Sequence, residues 1–217
     1  MVDLEGLLSG QTNTLEILFL LSVVTLLPSI IVMMTSFTRI IIVLSFLRNA
    51  LGMQQSPPNQ VLVGIALFLS LFIMQPVVGA IYTDAYLPYE AGEIDGETAV
   101  TNMQLPLKEF MLRQTKPSDL NIFLGFAEAE MPENPLDLSM TVVVPSFMTS
   151  ELRQAFIMGF LIYLPFIVID MVVASTLMSM GMIMLPPVMI SMPFKLLLFV
   201  LVDGWALTVD TLVRSFH

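Results

Sequence analysis

Apolar residues come in long blocks rather than at a short period. Ile17–Thr38 and Val61–Thr83 carry no charge, Gln154–Ile169 and Met171–Phe194 flank the single Asp170, and Leu196–Val202 continues after Lys195. About 20 apolar residues cross the hydrocarbon core as a helix, so the pattern predicts four long helices at roughly 15–47, 60–82, 152–180 and 188–214. The first is too long for a simple span. Pro28 should kink it, and Arg39 interrupts its apolar character. The last holds Lys195 and Asp203, unlike a plain lipid-facing helix.

Between the two helix pairs the pattern changes. Asp84–Met140 holds eleven acidic residues against Lys108, Arg113 and Lys116, and is rich in Pro, Gly and Asn. Its first third, 84–102, reads as solvated loop, with a short helix over Leu107–Gln114. The expected fold class is therefore all-α: two long helical hairpins, about four long helices, with a mixed, mostly helical acidic insertion between them. The expected divisions are a first hairpin over 1–83, an acidic extramembrane region over 84–151, and a second hairpin over 152–217.

Composition sharpens this to a membrane protein. Only 12% of residues are charged, against about a quarter in soluble domains, and mean hydropathy is +0.87. Cysteine is absent, which excludes disulfides and thiol chemistry. Met1–Gln11 has Asp3 and Glu5 but no basic residue, so it does not read as a secretory signal. Arg39 and Arg48 flank the turn after the first block and place it on the cytoplasmic side. The turn joining the last two helices returns to that side and the acidic region lies opposite, although Arg214 then falls outside, against the rule.

Candidate chemistry begins with that second turn. Met178, Met180, Met182, Met184, Met189 and Met192 crowd a charge-free segment broken by Gly181 and by Pro186-Pro187. Thioether side chains are flexible and polarizable and repack readily. A broken element at membrane depth survives only in protein or beside a cavity. Together these features point to a pore constriction.

Charges inside the apolar blocks need partners or water. Asp170 lies about 16 residues before Pro186 and Lys195 about 8 after Pro187, so at roughly 1.5 Å per residue their depths differ by about 12 Å. That spacing argues against a pair within one chain and for one between neighbouring chains displaced along an axis. Asp203 and Asp210 are placed on one helix face, with Arg214 positioned to pair with Asp210. Trp205 suits an interface. Arg39, Arg48, Asp203 and Trp205 are thus further interface candidates.

Catalysis finds little support. His217 is the one histidine and stands last, and no phosphate-binding Gly-x-x-x-x-Gly-Lys loop occurs. Asp170 and Asp203 are formal candidates for an aspartyl dyad, but Lys195 would hold a carboxylate ionised when a dyad must share a proton. No enzymatic role, cofactor, metal or nucleic-acid partner is expected. A copper(I) conduit through the methionines would lack Cys or His to receive the metal.

Two blocks carry a family resemblance. Thr35–Gly52 followed by Gln54–Gln60, and Met192–Trp205 with its Pro-Phe-Lys and Asp-Gly-Trp, resemble the signatures of the FliP family of the flagellar type III secretion export gate. Phe-Thr-Arg39 and Asn59-Gln60 favour that branch over the injectisome relatives. The resemblance implies a homopentamer joined by FliQ and FliR in a cone-shaped helical assembly. It also implies contact with FlhB, FlhA, membrane lipid and unfolded flagellar export substrates. The assembly would sit in the bacterial inner membrane and flagellar basal body, largely on the periplasmic side. The family's methionine gasket maps onto Met182-Ile183-Met184, where Ile183 departs from the usual methionine, with Met178, Met180, Pro186, Pro187 and Met189 around it. Asp170 and Lys195 match the family's charged pair, expected to bridge adjacent subunits. The absence of a basic start would then fit a mature form. The implied function is the core subunit of the protein-export channel, which forms the methionine seal and nucleates assembly, with energy supplied elsewhere. The alternatives are an ion or small-molecule channel subunit, or a scaffold in which the methionines are only core.

Overall fold

The computed structural model describes residues 14–53, 55–182 and 184–216, so the expectation for Met1–Gln11 lies outside the described residues. All regular elements among them are helical. The long ones are α1 (Thr14–Met33), α2 (Phe37–Ala50), α3 (Asn59–Glu90), α4 (Gly96–Gln114), α5 (Pro117–Phe126), α6 (Met140–Ser179), α7 (Pro187–Leu201) and α8 (Gly204–Arg214).

Three boundaries before α7 differ from the sequence expectation. The first block is broken at Met34–Ser36, whereas the helix runs through Pro28. A single proline removes one backbone donor, which a helix can absorb as a bend. At the break, Thr35 Oγ1 donates to Val32 O at 2.7 Å and accepts from Phe37 N at 3.3 Å, so a side chain replaces the helical ladder. α6 begins at Met140, well before 152, because Ser139 caps its first turn by accepting from Thr141 N. The segment 84–102 is mostly helix, not loop: α3 continues through a π turn at Tyr82–Tyr86, and α4 starts at Gly96. Asp95 caps α4 by accepting from Thr98 N at 2.9 Å, and hydrogen bonding from Thr98, its side chain first and its backbone N–H second, holds the carboxyl below the usual range. α4 ends because Pro117 forces the preceding Lys116 into extended backbone; Pro117 then opens α5 at a position where its missing N–H costs nothing.

α2 is the central element. Ile40, Val43, Leu44 and Leu47 recur at helical spacing and are buried, packed chiefly on α6 and also on α3. The acidic insertion completes this core: Phe110 and Met111 from α4, and Leu120 and Leu124 from α5, join Val143 and Phe147 of α6. Asp119 docks α5. It accepts from Ser150 Oγ at 2.7 Å and from Arg153 Nη2, while Ser150 Oγ also receives Lys116 N–H at 3.0 Å.

Arg39 is not at an interface. It is 2% exposed, and each of its five N–H donors has an acceptor. Nε and Nη2 donate to the two carboxylate oxygens of Glu151, Nη2 also to Gln114 Oε1, and Nη1 to Ser215 O and Ser215 Oγ. The guanidinium carbon lies 3.8 Å from the Phe216 ring centroid. Gln114 Nε2 donates to Phe216 O at 3.0 Å. One side chain on α2 therefore joins α4, α6 and the C-terminal end of the chain.

Glu151→Ala removes the buried counter-charge and should lower stability by about 3–5 kcal/mol, read as thermal unfolding of the detergent-purified protein. The paired change Arg39→Met with Glu151→Leu should recover more than half of that. A melting curve for Glu151→Ala matching the parent would show that this pair does not hold the base together.

Candidate functional site

The second hairpin packs on the end of α2 through Phe166 and Phe199, but little of its length is covered within this chain. Only 11% of the most apolar stretch of α6 is buried, and the chain reverses at its far end between α6 and α7. Local chemistry dictates this reversal. Gly181 adopts φ +77° just past the helix end, a backbone that favours glycine. Gly181 N donates to Met178 O at 3.1 Å and Met182 N to Leu177 O at 3.0 Å, the double bond pattern that closes a helix C-terminus. Pro187 starts α7 with its ring in place of an N–H that would have no partner, and Pro186 before it is held extended.

The turn presents its methionines outward. Met184 is 97% exposed, and Met178, Met180, Met182 and Met189 are exposed as well. Pro186 is exposed and Pro187 half-buried; Ile183 lies outside the described residues. These five methionines are not part of the core of this chain. The 51–53 turn lies at the same end: a Cβ on Gly52 would sit 3.7 Å from Val188 Cγ1. The two turns thus share one end of the molecule, as the charge pattern required. Arg48, beside the first of them, is half-buried, and its Nε has no protein partner.

Asp170 and Lys195 pair within the chain. Lys195 Nζ lies 2.6 Å from Asp170 Oδ2, and Ser191 Oγ donates to Asp170 Oδ1 at 2.5 Å. This corrects the depth argument made from the sequence, which counted the non-helical turn as helical rise. Asp170 is about nine residues from the end of α6 at Ser179, and Lys195 about eight from the start of α7 at Pro187. At about 1.5 Å per residue both lie roughly 12–14 Å below the tip. Lys195 is 2% exposed, so its ammonium has lost its water and depends on the carboxylate. Ser191 and Lys195 are one helical turn apart on α7 and grip both oxygens of one carboxylate. The serine was missed in the sequence, although its spacing from Lys195 was the available signal.

The remaining candidates are scattered. Asp203 and Asp210 do not share a helix face: Asp203 sits outside α8 at φ 50°, ψ 55°, where α7 and α8 meet at a 65° bend. The predicted last helix is thus two helices. Arg214 Nε donates to Asp210 at 2.8 Å, an exposed pair of small energetic weight. Trp205 packs edge-to-face on Phe199 at 5.5 Å. Among the described residues no three His, Cys, Asp or Glu side chains converge as metal ligands.

Comparison with known proteins follows the same lines. The FliP family profile matches residues 20–212. The flagellar biosynthetic protein FliP of Pectobacterium carotovorum subsp. carotovorum is 52% identical over 96% of this chain and 81% of its own. That of Bacillus subtilis is 52% identical over 94% of this chain and 93% of its own. That of Aquifex aeolicus is 46% identical over 94% and 87%.

A double-mutant cycle tests the clamp. Lys195→Met and Asp170→Asn should each destabilise the purified protein. Combined, they should show a coupling of about 1–3 kcal/mol, read from thermal unfolding. Strict additivity would mean that the two groups do not act together.

Proposed function

Because the chain belongs to the FliP family, we propose that it is the core subunit of the flagellar type III protein export gate, and that its methionine turn is the seal of the conduit. The observation that supports this most directly is a turn bearing five exposed methionines at the end of the α6–α7 hairpin, whose legs are tied by the Lys195–Asp170 ion pair. Exposed thioethers in such number have no use in a lone soluble chain; they suit a surface covered by other copies or by passing polypeptide. Around a shared axis, several such tips would close a ring with no rigid wall. Flexible thioethers then exclude water at rest and repack around the varied side chains of an unfolded substrate.

The helices support a membrane setting. Asn59–Glu90 and Met140–Ser179 are each long and apolar enough to cross a bilayer, and two bent helix pairs could do so as well. Association with FliQ, FliR, FlhB and FlhA, a pentameric ring, nucleation of the apparatus and a largely periplasmic-side location in the basal body belong to this proposal. The chain's part is passive: it offers a path and a closure, and the work of transport comes from elsewhere. The scaffold alternative asks for a closed apolar core on the symmetry axis where the seal asks for a pore lined by 178–189, and an image of the purified complex separates the two. An ion or small-molecule channel asks for a filter of polar or charged residues near Arg39 or Asp170; here Arg39 is buried against Glu151 and Asp170 is held by Ser191 and Lys195.

Met182→Ala with Met184→Ala should raise the ion permeability of membranes carrying the assembled complex, several-fold over the parent, while the complex still purifies intact. Unchanged permeability with intact assembly would refute the seal.

A further inference from the structure

We infer that the turn Leu51-Gly52-Met53, which ends α2, sets where the methionine turn stands, and that Gly52 is the positioning residue of this seat. This rests on the seal reading and adds what holds the thioethers of each copy at one height. The clamp of Asp170 with Ser191 and Lys195 joins α6 to α7, but by itself it does not fix the pair to the base. That attachment falls to the end of α2.

Local chemistry shapes the seat. Leu47, Ala50 and Leu51 share one helical face and are buried, in one cluster with Phe166 of α6 and Phe199 of α7. Gly52 then leaves the helix at φ +77°, in a backbone region that favours glycine. Gly52 N donates to Asn49 O at 3.0 Å and Met53 N to Arg48 O at 3.3 Å, the same double closure that ends α6 at Gly181. The bare Cα faces α7: a Cβ on it would meet Val188 Cγ1 at 3.7 Å and Met192 Cγ at 4.0 Å. Val188, Met192, Leu196 and Phe199 recur at helical spacing, and Leu196 packs on the same cluster. One stripe of α7 thus runs down the end of α2.

The first turn of α7 needs this support. Pro193 has no N–H for the carbonyl of Met189, so the turn that carries Met189 joins the rest of α7 across a missing rung. The contact with Gly52 falls on that turn, at Val188 beside Met189 and at Met192 just before the proline. Met192 therefore differs from the five exposed methionines: it is half-buried and belongs to the seat. The other leg approaches α2 as closely, since a Cβ on Gly159 of α6 would come within 2.6 Å of the Phe46 ring. Both legs rest on α2, whose opposite end is fixed through Arg39. Identical copies would then present their thioethers at one height, which a ring without a rigid wall requires.

Two substitutions separate backbone strain from displacement. Gly52→Ala adds a Cβ at ordinary contact distance, so it strains the backbone and leaves α7 in place. Gly52→Leu also fills the space against Val188 and Met192. In the full chain, assembled in membranes with its partners, Gly52→Ala should lower the unfolding temperature and leave the membrane tight. Gly52→Leu should raise ion permeability several-fold. Adding Val188→Ala, which returns the space, should restore tightness without restoring stability. The seat itself is read separately, from spin labels on Asn49→Cys and Ile190→Cys, both exposed, in a chain with no other cysteine and diluted with unlabelled copies. Gly52→Leu should shift their mean distance, Val188→Ala should reverse the shift, and Gly52→Ala should cause none. Should Gly52→Leu fail to assemble, Gly52→Asn, which accepts the left-handed backbone, takes its place. An unmoved distance, or a permeability that merely follows the unfolding temperature, would overturn the inference. A moved distance with a tight membrane, where Met182→Ala with Met184→Ala leaks, would overturn it and leave the seal. A tight methionine double variant would remove the seal, and the distances alone would then decide the seat.

Discussion

The fold depends on the buried guanidinium of Arg39. An arginine taken out of water is tolerable only when a counter-charge is close and its donors are satisfied. Here all five donors are used, and the acceptors come from α4, α6 and the last residues of the chain. The requirement forces segments far apart in sequence to meet at one point. It also fixes the chain's end, since Phe216 covers the cation with its ring and is itself buried. An apolar residue at position 39 would pack against α6 without specifying which partners must surround it.

From that base the molecule becomes progressively less self-sufficient. Around α2 the core is closed by the acidic insertion, whose amphipathic helices α4 and α5 turn Phe110, Met111, Leu120 and Leu124 inward. Towards the methionine turn a second, smaller cluster joins Leu47, Ala50 and Leu51 at the end of α2 to Phe166 of α6 and Phe199 of α7, while much of the apolar surface of α6 and α7 stays exposed. Beyond that cluster the ion pair of Asp170 with Lys195 ties α6 to α7 and stiffens the arm. A stiff arm with a soft end is what a seal formed by several copies would need: the arm sets where the thioethers sit, and their flexibility sets how they close.

The misreadings share a cause. A helix spacing argument converts residues to ångströms at a fixed rise, which fails wherever the chain leaves the helix. The turn at Met180–Pro186 displaced the predicted level of Asp170, and with it the choice between a pair inside the chain and one between chains. Asp203 was assigned a helix face across a break that its own left-handed backbone creates. The loop reading of 84–102 gave weight to charge and glycine, while the capping of α4 by Asp95 and the continuation of α3 through its π turn decided otherwise. The expected kink at Pro28 concerns a helix that continues through it, and the chain leaves the helix only at Met34–Ser36.

The sequence by itself determined the all-helical class, the long apolar elements, the reversal at Gly181 and Pro186-Pro187, and the family. These follow from local rules of period, chain reversal and residue chemistry, or from motifs that are contiguous. Tertiary structure alone decided that Arg39 is the centre of the base rather than part of an interface, that Ser191 and Lys195 share one carboxylate, and that the methionines are left uncovered. Each of those depends on which distant segments come together. A charge in an apolar block announces that it needs a partner, but only the packed chain selects the partner, because desolvation is set by every neighbour at once.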